Sequence, residues 1–148
     1  MSKLIFPAAP APTLAIAGSD DRIPVQRVFC VGRNYEEHAK EMGQQVERDE
    51  PFYFTKSNEA VVADGSTIPY ASATTNYHYE FELAVVIGAP AFRVSKEEAL
   101  SKVYGYACAL DMTRRDLQLM KRAKQLPWDI GKDIEFSAPL GVVVPAAQ

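Results

Sequence analysis

Hydrophobic and polar residues alternate most cleanly over residues 77 to 88, YHYEFELAVVIG. Successive side chains leave a strand on opposite faces, so this pattern predicts a strand with Tyr77, Tyr79, Phe81, Leu83, Val85 and Ile87 on one apolar face. His78, Glu80, Glu82, Ala84 and Val86 share the other. Shorter apolar runs predict strands at VQRVFCVG, at PFYFTKS, at GYACALD ending in Asp111, and near the VVVP stretch that follows the loop PWDIGKDIEFSAPLG. The period changes in three places. Asn34 and Glu37 form a capping-box pattern ahead of YEEHAKEM, which runs to Gly43, and Ser95 and Glu98 form a second in SKEEALSKV. Thr113 with Asp116 opens TRRDLQLMKRAKQL, the longest helical segment, with Leu117, Met120, Ala123 and Leu126 as its apolar stripe. SDDR reads as a turn, and ADGSTIPYASATTN as a turn-rich connection. Short strands mixed with short helices, without βαβ alternation, predict an α+β, mainly β architecture.

Composition narrows this picture. A chain of 148 residues, 47% of them hydrophobic, suits one domain with one core. The net charge of −3, with lysine and arginine scattered along the chain, lacks the basic stripe of a nucleic-acid binder and the polybasic patch of a membrane-surface protein. No apolar run reaches the length of a membrane span. Residues 1–24 read as a proline-rich arm and 25–148 as the body of the domain. The Ala15-Ile16-Ala17 triplet mimics a signal-peptidase site, but Pro7, Pro10 and Pro12 interrupt the stretch before it and only Lys3 precedes it. Cys30 and Cys108 sit in apolar runs without metal or disulfide spacing, which predicts buried thiols and a reducing cytoplasm.

Three groups of residues could carry chemistry. Glu80 and Glu82 point the same way, with Cα atoms roughly 6.5–7 Å apart, and repel unless a cation sits between them. With Asp111 at the end of another strand they supply three hard oxygen donors, a set suited to Mg²⁺ or Mn²⁺. A solvated edge strand is the alternative. His78 shares their face, either as a further ligand or as a histidine at the strand mouth bonded to solvent or backbone. His38 and Glu41, three residues apart on a short helix, could form a carboxylate-oriented base or an ordinary solvated pair. Arg115, Gln118 and Lys132 could hold a carboxylate and stabilise an enolate, or face water.

The stretches FCVGRNYEEHAKEMG, PFYFTKS, YHYEFELAVVIG, GYACALDMTRRDLQ and LPWDIGK, in this order and spacing, resemble the fumarylacetoacetate hydrolase family, and within it the acylpyruvase and fumarylpyruvate hydrolase type. The resemblance implies a mixed β-roll in which Glu80, Glu82 and Asp111 are the metal ligands and His38 with Glu41 is the water-activating dyad. It implies Lys132 as the active-site lysine, Arg115 and Gln118 as contacts to the substrate carboxylate, and Lys56, in the F-x-K segment, as a further substrate contact. Two departures stand out. Lys132-Asp133-Ile134-Glu135 differs from the family's usual lysine, small residue and phenylalanine. The family's domain also runs on to a T-G-T-P segment that does not occur before Gln148, so residues 25–148 are expected to be its N-terminal part, with the roll incomplete. The implied activity is metal-dependent hydrolysis of a C–C bond in a small diketo acid, fumarylpyruvate foremost, by a homodimer. The alternatives are an oxaloacetate decarboxylase on the same site or an inactive fragment that only binds metal.

Overall fold

The computed structural model describes residues 4–32, 34–35 and 50–146. The expected helix from Asn34 to Gly43, with His38 and Glu41, lies outside the described residues.

Eleven short strands, three short α-helices and two single-turn 3₁₀ helices are present among the described residues. Strands β1 (Thr13–Ile16) and β2 (Ser19–Pro24) form an antiparallel hairpin. Its turn passes through Gly18 at φ 75°, where a side chain would be strained. Strands β3 (Val28–Gly32) and β4 (Phe52–Lys56) pair antiparallel as a separate ribbon. The main sheet is built on β8 (Val103–Leu110), with β7 (Phe81–Ile87) along one side and β10 (Ala138–Leu140) and β11 (Val144–Pro145) on the other. Strand β5 (Val61–Ala63) joins parallel to β10. Strand β6 (Tyr77–His78) pairs with β9 (Thr113–Arg114) beside the site. Helix α1 (Lys96–Ala99) has the expected reciprocal Ser95 and Glu98 capping box; α2 spans Arg115–Ala123 and α3 Asp129–Lys132. No helix among the described residues is long and apolar enough to cross a membrane.

The core is small. Leu14, Ala107 and Val143 are buried together, with Ile23, Val25, Val61, Ala84, Val86 and Leu140 packed around them. Val143 is tied to β1 through the Ala17 N–H, which donates to its carbonyl at 2.8 Å, and through its own N–H, which donates to Ala15 at 2.9 Å. Gly105 lets β11 lie close on β8, since a Cβ there would fall 2.3 Å from the Val144 carbonyl oxygen.

The structure corrects five expectations. SDDR is the start of β2, not a turn, and Leu14 brings the hairpin into the core. The strand over 77–88 breaks at Tyr79 and Glu80, because β6 turns to pair with β9 while β7 pairs with β8. The face of β7 carrying Phe81, Leu83, Val85 and Ile87 is the exposed one, with Phe81 67% accessible, while Glu82, Ala84 and Val86 face inward. Alternation fixes which side chains share a face, but not which face is covered. In α2 the buried residues are Arg115 and Gln118, whereas Met120 of the expected stripe is exposed; Thr113 belongs to β9, and Asp116 accepts hydrogen bonds from the Thr74 hydroxyl and the Thr75 amide. Cys108 is exposed and Cys30 only half-buried.

Candidate metal centre

The inward face of β7 changes character along its length. Ala84 and Val86 enter the core, whereas Glu82, and Glu80 just before the strand, turn in at the open end. Asp111 closes the same end of β8, because its N–H donates to the Glu80 carbonyl at 2.8 Å and extends the β7–β8 pairing by one step. One carboxylate oxygen from each of Glu80, Glu82 and Asp111 then falls within 4.8 Å of the others. His78 is exposed on β6 and is outside this group.

Three cations converge on two of these carboxylates. Lys132, at the end of α3 and 2% exposed, places Nζ 2.7 Å from Glu80 Oε2, 2.5 Å from Asp111 Oδ2 and 2.7 Å from Thr113 Oγ1. The first turn of α2 presents Arg115, whose guanidinium donates to Glu80 and to the Gln118 side-chain oxygen. Gly131 allows α3 to approach α2 this closely, since a Cβ there would lie 2.9 Å from the Gln118 nitrogen. Lys56 comes from β4 with Nζ 2.9 Å from Asp111 Oδ1. That ammonium also donates to the Met112 carbonyl at 3.1 Å, to Ser137 Oγ at 3.0 Å and to the Lys132 carbonyl, so its three protons are committed within the protein.

Glu82 stands apart, without a hydrogen bond or ion pair to its side chain among the described residues. Burial, reinforced by the charges of Asp111 and Glu80, pushes its carboxyl up to about 7. At Glu80 burial acts in the same direction, but the Lys132 ammonium and the Arg115 guanidinium outweigh it and hold the carboxyl at about 2. Burial lowers the Lys56 ammonium, against the opposing attraction of Asp111. Burial, then the charge of Asp111, raises the Cys30 thiol to about 12, which makes it a poor nucleophile. Asp111 Oδ1, although close to Lys56, has no aligned hydrogen-bond donor and is fully buried.

A hard divalent cation fits this set. The three donors are carboxylate oxygens on adjoining strand ends, one of them is short of positive charge, and another has an orphaned buried oxygen. The site therefore brings together Glu80, Glu82, Asp111, Lys132, Arg115, Gln118 and Lys56. His38 and Glu41 lie outside the described residues. The sequence reading missed Thr113 and Ser137, both fully buried and both bonded to a site lysine. Ser137 carries no local signal, while Thr113 could have been suspected from its place two residues after Asp111.

A mixed, mainly β domain with a carboxylate triad at its sheet mouth and a buried lysine among the carboxylates defines a class of protein. The chain belongs to the fumarylacetoacetate hydrolase family: residues 27–148 match the family model described as fumarylacetoacetate (FAA) hydrolase C-terminal. It is 52% identical over 106 residues to a fumarylpyruvate hydrolase of Ralstonia sp, an alignment covering 70% of this chain and 55% of that protein. It is 41% identical over 120 residues to the mitochondrial oxaloacetate tautomerase of Homo sapiens, covering 81% of this chain and 54% of that one. The crystal structure of fumarylpyruvate hydrolase from Pseudomonas aeruginosa in complex with Mn²⁺ and pyruvate superposes with a TM-score of 0.92 at 49% identity, covering 99% of this chain and 64% of that one. The chain thus spans about half the length of these curated relatives.

Proposed function

We propose that this chain forms the metal centre of an acylpyruvate hydrolase that cleaves fumarylpyruvate to fumarate and pyruvate. The observation that carries the reading is the Lys132 ammonium, buried at 2.7 Å from Glu80 and 2.5 Å from Asp111 beside a third carboxylate on Glu82. Similarity to the fumarylpyruvate hydrolases of Ralstonia and Pseudomonas aeruginosa supports the substrate, and the Mn²⁺ in the latter supports the metal.

Glu80, Glu82 and Asp111 hold Mg²⁺ or Mn²⁺, which supplies Lewis acidity toward the keto oxygens of a 2,4-diketo acid. Arg115 and Gln118 bind the substrate carboxylate and fix its orientation. By the family resemblance His38 and Glu41 are the water-activating dyad, and His38 takes a proton from the water that adds to the carbonyl of the acyl group. The bond between that carbonyl carbon and the methylene then breaks, and its electron pair passes into the enolate of pyruvate. The Lys132 ammonium, held in place by Thr113, stabilises that negative charge until the methylene carbon is protonated. By the same family resemblance we assign the full-length protein to a homodimer, and two cysteines without metal or disulfide spacing support a place in the cytoplasm.

The similarity to oxaloacetate tautomerases, and to an oxaloacetate decarboxylase of Dictyostelium discoideum, favours a second reading, in which the same site enolises or decarboxylates oxaloacetate without an attacking water. The test is His38→Ala in the protein that carries this chain. Hydrolysis of fumarylpyruvate should fall by roughly 10²–10⁴-fold while oxaloacetate conversion falls far less. A wild-type protein that hydrolyses no acylpyruvate sinks the hydrolase reading, and hydrolysis that survives both this substitution and EDTA sinks the roles given to His38 and the metal.

A further inference from the structure

The side chains of Phe52, Phe54 and Lys56 alternate onto one face of β4, and they form a row leading away from the carboxylates. Lys56 sits on Asp111. The Phe54 ring lies 5.0 Å from the Lys132 ammonium. Phe52 comes next, its ring 5.1 Å from that of Trp128 in an edge-to-face contact, and Phe54 lies 6.3 Å from the same indole. The Phe52 ring occupies the space that a side chain at residue 32 would need, since a Cβ on Gly32 would fall 2.4 Å from it. These three aromatic rings and Lys132 line a cleft of about 530 Å³. A pocket of that size suits a small ligand.

The cleft has a charge preference. Arg122, from the last turn of α2, lines it half-buried, and no hydrogen bond or ion pair engages its guanidinium among the described residues. Lys132, the other cation of the lining, is already paired with Glu80 and Asp111, so among the described residues Arg122 is the uncommitted cation there, beside one acid, Asp129. Lys132 touches both groups: its ammonium donates to Glu80, which also accepts from Arg115, and it lies 5.0 Å from the Phe54 ring.

We propose that this cleft is the acyl subsite: Phe52, Phe54 and Trp128 take a planar unsaturated chain, and Arg122 takes a carboxylate at its far end. The inference rests on the acylpyruvate reading above and extends it to specificity. A 2-keto acid whose carboxylate is held by Arg115 and Gln118 directs its acyl end across Lys132 into the cleft. A flat conjugated acyl group packs against ring faces and edges with little lost conformational freedom, and an arginine without another partner among the described residues rewards a terminal carboxylate with charge-assisted hydrogen bonds. Oxaloacetate has no acyl chain to reach the cleft, so these residues separate the two activities found among the relatives.

The experiment has two arms. In the first, Arg122→Met should raise KM for fumarylpyruvate by about 10–100-fold, the worth of hydrogen bonds to a charged group, with kcat changed less than about threefold. KM for acetylpyruvate, which lacks the far carboxylate, should stay within about twofold, and Arg122→Lys should recover part of the loss. The second arm needs neither metal nor turnover. Trp128 is the chain's one tryptophan, so its emission reports directly on the cleft. Fumarate titrated into the metal-free chain should change that emission saturably, and the response should disappear in Arg122→Met. A wild-type protein that hydrolyses no acylpyruvate, yet shows the Arg122-dependent response, would overturn the reaction and leave the subsite standing. The subsite is overturned if fumarate leaves the emission unchanged, or if Arg122→Met affects both substrates equally.

Discussion

Lys132 and Asp111 meet as a buried ion pair, Nζ to Oδ2 at 2.5 Å, although one ends a helical turn and the other ends a strand of the main sheet. Each is almost wholly shielded from water, with side-chain exposures of 3% and 4%. Leaving a buried charge wholly uncompensated costs about 3–5 kcal/mol, but without Lys132 Asp111 keeps Lys56 and Glu80 keeps Arg115. Lys132→Met should therefore lower the stability of the metal-free chain by less than that amount. A divalent cation restores positive charge at the same carboxylates, so Mn²⁺ should raise the melting temperature of the variant more than that of the wild type. Equal Mn²⁺ responses in the two proteins would show that the lysine and the metal do not share these carboxylates.

Glu82→Gln separates metal binding from folding. The substitution removes the carboxylate that has no cation beside it and keeps its shape, so the metal-free chain should become more stable at pH 8 while affinity for Mn²⁺ collapses. Isothermal titration and thermal unfolding in EDTA check the two halves. Undiminished Mn²⁺ affinity in the variant would falsify the assignment of Glu82 as a ligand.

The pH dependence follows from the same residue. The folded chain holds the Glu82 proton up to about 7, against an ordinary 4.5, so the stability linked to this group is complete below pH 4.5 and lost as pH rises through 7. Glu80 has the opposite sign: its contribution is present above pH 4.5 and lost as pH falls toward 2. Metal competes with the Glu82 proton, so Mn²⁺ affinity should climb between pH 5 and 7 and level off above. A flat affinity profile across that range refutes the linkage.

Gly131→Ala tests the seating of α3. An added methyl meets the Gln118 backbone nitrogen and Cα near 3 Å, and backbone atoms give way less readily than a side-chain tip. The helical turn must move off α2, taking Lys132 with it. Turnover should fall by roughly 10²-fold with modest loss of stability, since a small displacement of a preorganised group is costly to catalysis. Wild-type turnover would mean that the contact relaxes elsewhere.

The outward face of β7 should make these 148 residues self-associate. Leu83 and Ile87 are 60% and 62% exposed on a strand that pairs only with β8 among the described strands, an arrangement that favours association. Light scattering should show a lower apparent mass for the Leu83→Lys, Ile87→Lys double variant, with Mn²⁺ binding retained because both residues point away from Glu82. An unchanged mass would show that this face is not the adhesive one.

Local patterns in the sequence determined what adjacent residues could decide among themselves. The period of two in FELAVVI made β7 a strand and put Glu82 with Ala84 and Val86, and the spacing of Ser95 and Glu98 capped α1. The pairing of Glu80, Glu82 and Asp111 was legible because two lie on one strand face and the third ends an apolar run. Tertiary structure decided the remainder. Whether the apolar or the acidic face of β7 turns inward depends on what lies across from it, and the small residues Gly105 and Ala107 of β8, with the β1 hairpin against them, settled that. Helix α2 buries Arg115 and Gln118 rather than its leucines and methionine because its neighbours present carboxylates there, and an ion pair between distant segments leaves no periodic trace in either. Lys56 shows the same limit. The F-x-K pattern suggested a substrate contact, but only packing brought its ammonium against Asp111, Ser137 and two carbonyls, since a buried charge takes its role from the partners that surround it.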